Sequence, residues 1–209
     1  TIGENVKNIP DYAFQGCSGL TSITIPNNVT SIGNDAFFGC EGFTSITIPN
    51  SVTNIENHAF NGCTSLKELH IEDGTDVLSL GHNEYIKNNA STTGKGLFYE
   101  CPLETLYLGR NLSYDTDSYY GYSPFAYVKT LKSVNFGKAC TSIPALLFYN
   151  CGTIISLTIP ASVLNITSDA FTGTTSIKTF FLGNTRPEGY SSAKGTMNYV
   201  SSVTNYGFG

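Results

Sequence analysis

The sequence predicts a mostly β, right-handed solenoid, and three observations carry that prediction. Phe14, Phe37 and Phe60 stand 23 residues apart. Each lies in the same setting, with Val eight residues before, Ile five before, Ala directly ahead and Gly-Cys closing the group. Once per repeat a run such as Ser22-Ile23-Thr24-Ile25 alternates polar and apolar side chains, the period of a half-buried strand.

A fixed period of this size marks a leucine-rich-repeat solenoid, in which one unit cannot bury its own apolar face and neighbours complete the core. Within a unit, Ile23 and Ile25 point inward, and Pro26 ends the strand because it has no N–H for the ladder. Val29 and Ile32 form a second, shorter extended side. Asn34 or Asp35 is expected to cap a single helical turn around Ala36-Phe37, closed by Gly39 in the left-handed conformation. Phe37 should fill the wide end of the coil and stack on the Phe above and below. The expected architecture has about seven coils, with one strand each on the concave face and short helical turns on the convex side.

Coils one to three run to about residue 72. The next Phe is Phe98, and the surplus residues fall within 73–96, rich in Asn, Gly, Ser and Thr, which reads as a loop leaving the solenoid. A smaller insertion within 109–124 precedes Phe125 and carries Tyr114, Tyr119, Tyr120 and Tyr122. Phe148 and Phe171 restore the 23-residue interval. Beyond residue 182 the pattern fails, since Arg186, Gly189 and Lys194 stand where Val, Ile and the Ala-Phe pair are due. The solenoid is therefore assigned to 1–182, and 183–209 to a C-terminal cap and tail with a strand expected near Met197 to Val200. Ile2 matches the last residue of a strand, so an earlier part of the chain is expected before Thr1.

Composition narrows the function. The net charge of −5 argues against nucleic acid, which demands a Lys/Arg surplus. There is neither a long apolar run nor a basic amphipathic stretch, so direct membrane insertion by this segment is not expected. Five of the six cysteines (Cys17, Cys40, Cys63, Cys101 and Cys151) follow the repeat Phe by three residues. Side chains stacked along a solenoid are about 4.8 Å apart. Parallel vectors leave their Cβ atoms beyond the roughly 3.5–4.5 Å that a disulfide prefers. Buried free thiols are the expectation, with Val128 and Thr174 filling the same slot in two coils.

The pattern Ile-Pro-x-x-Val-Thr-x-Ile-x-x-x-Ala-Phe-x-Gly-Cys resembles the BspA-like leucine-rich-repeat family of bacterial surface proteins, over about residues 2–182. The departures are the two insertions and the missing Cys at Val128 and Thr174. The resemblance implies an extracellular or cell-surface location and adhesion to host or neighbouring cells. It brings no shared catalytic residues.

Strand alternation names two outward columns on the concave face. One is Ser22, Ser45, Glu68, Thr105, Ser133, Ser156 and Thr179; the other is Thr24, Thr47, His70, Tyr107, Asn135, Thr158 and Phe181. Small hydroxyls make a solvated sheet surface, whereas Tyr107 and Phe181 are the aromatic anchors expected at a binding face. Phe181 is as well suited to packing beneath the cap. Glu68, His70 and Glu72 share one face, but strand neighbours two apart are about 6.6 Å from each other, so a solvated charged patch outweighs an ion site. Tyr114, Tyr119, Tyr120 and Tyr122 offer contact area at low entropic cost, or else fold back to shield their own insertion. No histidine is framed by a nucleophile elbow, a paired-histidine zinc motif or a phosphate loop. The expectation is a non-catalytic recognition module without cofactors. Its partner would be a protein or glycan on host or neighbouring cells, and a structural spacer is the alternative.

Overall fold

The computed structural model describes residues 2–83, 95–98, 100–115, 123–167, 170–177, 179–182 and 202–203. Every pairing but one is parallel, as a right-winding chain that returns to the same side once per turn requires. The long-strand face carries β3 (Ser45–Ile48), β5 (Glu68–Ile71), β9 (Thr105–Leu108) and β11 (Ser133–Phe136), joined in one sheet. Farther along, β13 (Ser156–Ile159) and β15 (Thr179–Leu182) form a separate pair. In β3 and β5 exposed and buried residues alternate strictly, as the sequence pattern requires. In the first coil Ser22 to Ile25 makes no strand; Pro49, which follows β3, has no N–H to donate to it, and Ile25 is buried.

The short side is itself a sheet. It contains β1 (Asn8–Ile9), β2 (Ser31–Ile32), β4 (Asn54–Ile55), β6 (Leu78–Leu80) and β10 (Leu112–Ser113). A second group holds β12 (Ser142–Ile143), β14 (Asn165–Ile166) and β16 (Ser202–Val203). The strand expected near Met197 to Val200 lies outside the described residues; Ser202–Val203 pairs instead with Asn165–Ile166. The 73–96 segment does not leave the solenoid at once. Leu78 and Leu80 are buried, Leu78 opposite Leu112 in the following coil and Leu80 opposite Ile55 in the preceding one, where it takes the position that Ile holds elsewhere. Only afterwards does the chain depart, through the antiparallel pair β7 (His82–Asn83) and β8 (Lys95–Gly96).

The convex side corrects the expectation of helical turns: among the described residues there is no helix. The reason lies in where its N–H groups go. Asp35, Phe37 and Gly39 donate to the carbonyls of Asn57, Ala59 and Asn61 in the next coil, at 3.0, 2.9 and 2.8 Å. Tyr12, Phe14 and Gly16 do the same one coil earlier. Donors used between coils are unavailable for bonding within a helix. The backbone is also left-handed on both sides of the ring, at Asp35 (φ 52°) and at Gly39 (φ 67°), which a right-handed helix excludes. The left-handed Gly39 agrees with the sequence reading; the left-handed Asp35 was not anticipated.

The Phe side chains form one continuous buried file. Successive ring centroids lie 5.2, 5.4, 5.3, 5.5, 6.1 and 5.5 Å apart from Phe14 through Phe37, Phe60, Phe98, Phe125 and Phe148 to Phe171. All except Phe14, in the end coil, are fully buried. All six cysteines are free, and every one except Cys17 is buried. Their thiols also have a role beyond filling space. Cys40, Cys63 and Cys151 donate to the carbonyls of Phe14, Phe37 and Phe125 in the coil before, at 3.2, 3.3 and 3.0 Å.

Candidate binding face

The long-strand face brings the sequence columns into register across the larger insertion. Ser45, Glu68, Thr105 and Ser133 lie opposite one another, as do Thr47, His70, Tyr107 and Asn135. His70 and Tyr107 are 37 residues apart in the chain yet direct neighbours on the sheet. Their rings stack with centroids 4.4 Å apart and planes 6° from parallel. This geometry hides one face of each ring.

The pair is fixed at its far end. Tyr107 donates its hydroxyl to Asp73 Oδ2 at 2.8 Å, and this bond is the main cause of a phenol pKa raised above its usual value. Asp73 can sit there because Gly109 and Gly137 follow the strands beside it. A Cβ on Gly137 would fall 2.0 Å from Asp73 Oδ1, and one on Gly109 would fall 2.4 Å from the Asp73 nitrogen. At the near end Glu104 lies between two lysines, with Lys132 Nζ at 2.6 Å and Lys67 Nζ at 3.7 Å. The hydrogen bond from Lys132 holds the Glu104 carboxyl below its usual range. Glu68, one residue along from Lys67, is exposed.

The carboxylates beyond β5 are engaged. Glu72 Oε2 accepts the Asn50 N–H at 3.0 Å and Asp73 accepts Tyr107. Among the described residues no group of three or more His, Cys, Asp or Glu is placed to hold a metal ion.

Other sequence candidates divide. Tyr114 is not a free surface ring: it packs against the core and donates its hydroxyl to the Ala145 carbonyl at 2.7 Å, and burial raises its pKa strongly. Its position explains this, since one step beyond the Ser113↔Ser79 pairing it falls opposite Leu80, in the file the repeat gives to Ile. Tyr119, Tyr120 and Tyr122 lie outside the described residues. Phe181 belongs to β15, opposite Thr158.

Sequence reading passed over Arg110, which is fully buried. It donates to the carbonyls of Asn50 and Pro49 at 2.8 and 2.9 Å. Burial lowers its pKa, while the nearby charges of Asp76 and Glu72 oppose that shift. The one available signal was its place two residues after a strand, where other coils carry Asn50 or Ala161.

Stacked parallel coils, a Phe file and a broad strand face together define a leucine-rich-repeat β-solenoid. The family model described as the BspA type leucine rich repeat region matches in six copies, over residues 1–82 and 92–194, and the chain belongs to that family. Among solved structures the chain is similar to a leucine rich cell surface protein from Faecalibacterium prausnitzii, with 25% identity and a TM-score of 0.54 over 87% of this chain and 45% of that one. It is also similar to the T. pallidum leucine rich repeat protein, with 22% identity, a TM-score of 0.42, and 86% and 64% coverage. A leucine-rich repeat protein from Bacteroides ovatus shares 19% identity with a TM-score of 0.36, and 88% and 68% coverage. This chain thus spans less than half the length of the first and under two thirds of the second. No curated protein matches it. Among the described residues no helix is long and apolar enough to cross a membrane.

Proposed function

We propose that this chain is a non-catalytic recognition module of a bacterial surface or secreted protein, binding a protein on host or neighbouring cells through its long-strand face. The observation that carries the reading is the His70–Tyr107 stack, locked by Asp73 in the middle of that face. Rings held in place before binding lose little freedom on contact, which is what makes rigid aromatic anchors effective. Most of the surrounding surface is Ser and Thr, which adds complementarity but little energy. The cell-surface description of the Faecalibacterium protein supports the location. Glu68, Phe181, Tyr119, Tyr120 and Tyr122 are the further contacts this reading would recruit.

The test is binding of this chain to a panel of extracellular-matrix proteins and, in parallel, to a glycan array. The reading predicts a protein ligand, with affinity falling about 30-fold or more in His70→Ala/Tyr107→Ala while the circular dichroism spectrum is unchanged. Binding to glycans alone would replace the protein reading with a carbohydrate one. No binding to either would leave a spacer.

A further inference from the structure

Both sheets of the solenoid are interrupted at the same level. On the long-strand face β11 and β13 are neighbours but belong to different sheets, and on the short side β10 and β12 are likewise unpaired. Both breaks fall between Phe136 and Ser142. The Phe file is widest there as well, at 6.1 Å between Phe125 and Phe148.

Three positions bear on the gap, and the first is Pro160, which follows β13 where Glu72, Gly109 and Gly137, after β5, β9 and β11, each donate an N–H to the coil before. Phe136 is in register with Leu108, and through it with Ile71 and Ile48. Its larger ring meets Phe148 edge-on, with centroids 6.3 Å apart and planes at 89°, and so wedges the next coil outward. Pro144 follows the short strand where Gly33, Glu56, Gly81 and Thr167 each donate an N–H to the coil before. Proline has no such donor.

Side chains do across this level what main chain does elsewhere. Asn111 Oδ1 accepts the N–H groups of Thr141 and Ser142 at 2.8 and 3.0 Å. The Ala145 carbonyl takes the Tyr114 hydroxyl at 2.7 Å, and the Leu147 carbonyl takes the Ser123 hydroxyl at 2.6 Å. Among the described residues one ladder bond of the usual kind survives, from Tyr127 N–H to the Tyr149 carbonyl at 2.9 Å.

We propose that this seam is a hinge, at which residues 2–136 and the coils from 142 onward move as two blocks and change the curvature of the long-strand face. Nearest-neighbour coupling is what makes a repeat array rigid, and it is here that the backbone coupling falls to a single bond among the described residues. Hydroxyl and amide bonds between side chains break and reform one at a time, without the concerted loss of a ladder. The inference is independent of what the face binds.

Double electron–electron resonance tests it. Spin labels would be placed through Thr47→Cys and Thr158→Cys across the seam, and through Thr47→Cys and Asn135→Cys within one block. Strand spacing puts these pairs about 19 and 14 Å apart before label arms are added. Cys17→Ser removes the exposed thiol, and the remaining native thiols are buried. The cross-seam distance distribution is expected to be the broader one. It should widen in Tyr114→Phe/Ser123→Ala and narrow to the in-block width in Phe136→Ile/Pro144→Thr/Pro160→Gly, which restores the missing donors. Should the first variant fail to fold, the second decides alone. A cross-seam distribution as narrow as the in-block one, or one that Phe136→Ile/Pro144→Thr/Pro160→Gly leaves unchanged, would overturn the proposal.

Discussion

Arg110 donates to the Pro49 carbonyl at 2.9 Å across 61 residues of chain, reaching over an entire intervening coil. The coil it crosses makes room with Gly74, where an added Cβ would lie 3.3 Å from Arg110 Cδ. A guanidinium bound to the buried Pro49 carbonyl and the part-buried Asn50 carbonyl serves as a clamp across three turns. Replacing it with Met keeps the bulk and leaves those acceptors unpaired. Arg110→Met is expected to cost about 3 kcal/mol in urea unfolding, while Gly74→Ala, whose Cβ would lie 3.2 Å from Asn50 Cβ and 3.3 Å from the Arg110 stem, should cost about 1 kcal/mol. Equal effects would contradict the clamp.

The Phe file sets a gradient along the chain. Phe60 is enclosed by rings on both sides, whereas Phe14 stacks on one side only and is half-buried. Phe60→Ala should cost about 3–5 kcal/mol by chemical denaturation, and Phe14→Ala clearly less.

How much of this could be read in advance follows from where the information lies. A 23-residue period needs only counting, so the Phe file, the cysteine slot and the two outward columns were legible, and the columns stayed in register from Ser45 to Ser133. The turn around Phe37 was misread as helical because the bonds that decide it run to Ala59 and Asn61 in another coil, which a local propensity argument never sees. Tyr114 was read as a loop residue because counting from Phe98 hid its equivalence to Leu80. The His70–Tyr107 contact needed the register across an insertion of unknown path. Each column member was named, but their stacking was not.

Thiol chemistry separates the end coil from the interior. Burial pushes the Cys40 and Cys140 pKa values up to about 11, and those of Cys63 and Cys151 up to about 12. Thiolate is the reacting form, so at pH 8 these groups are silent. Titration of the folded protein with a thiol-specific disulfide reagent should consume one equivalent quickly, at Cys17, and the other five only on unfolding. Rapid reaction of several thiols in the folded state would contradict the buried column.

Acidification should weaken the fold around the larger insertion. Burial, reinforced by the charge of His58, lowers the His82 pKa below its ordinary 6.5, while Asp115 opposes the shift. A depressed histidine binds its proton more weakly folded than unfolded. Its contribution is therefore fully present above about pH 6.5 and is lost as pH falls through the lowered folded value. Melting temperature should decline in that window for the parent protein and be flatter in His82→Gln. The Glu104 carboxyl, lowered by Lys132, adds its own loss only in the more acidic carboxylate range. A parent and variant with superimposable pH profiles would remove His82 from the account.

The most direct measurement is a set of ring-to-ring nuclear Overhauser effects in protein labelled only at phenylalanine. Stacked coils predict an unbroken walk from Phe14 to Phe37, Phe60, Phe98, Phe125, Phe148 and Phe171, with no cross-peak that skips a ring. A missing step between Phe37 and Phe60, or a direct effect between Phe14 and Phe60, would contradict the stack on which the binding face is built.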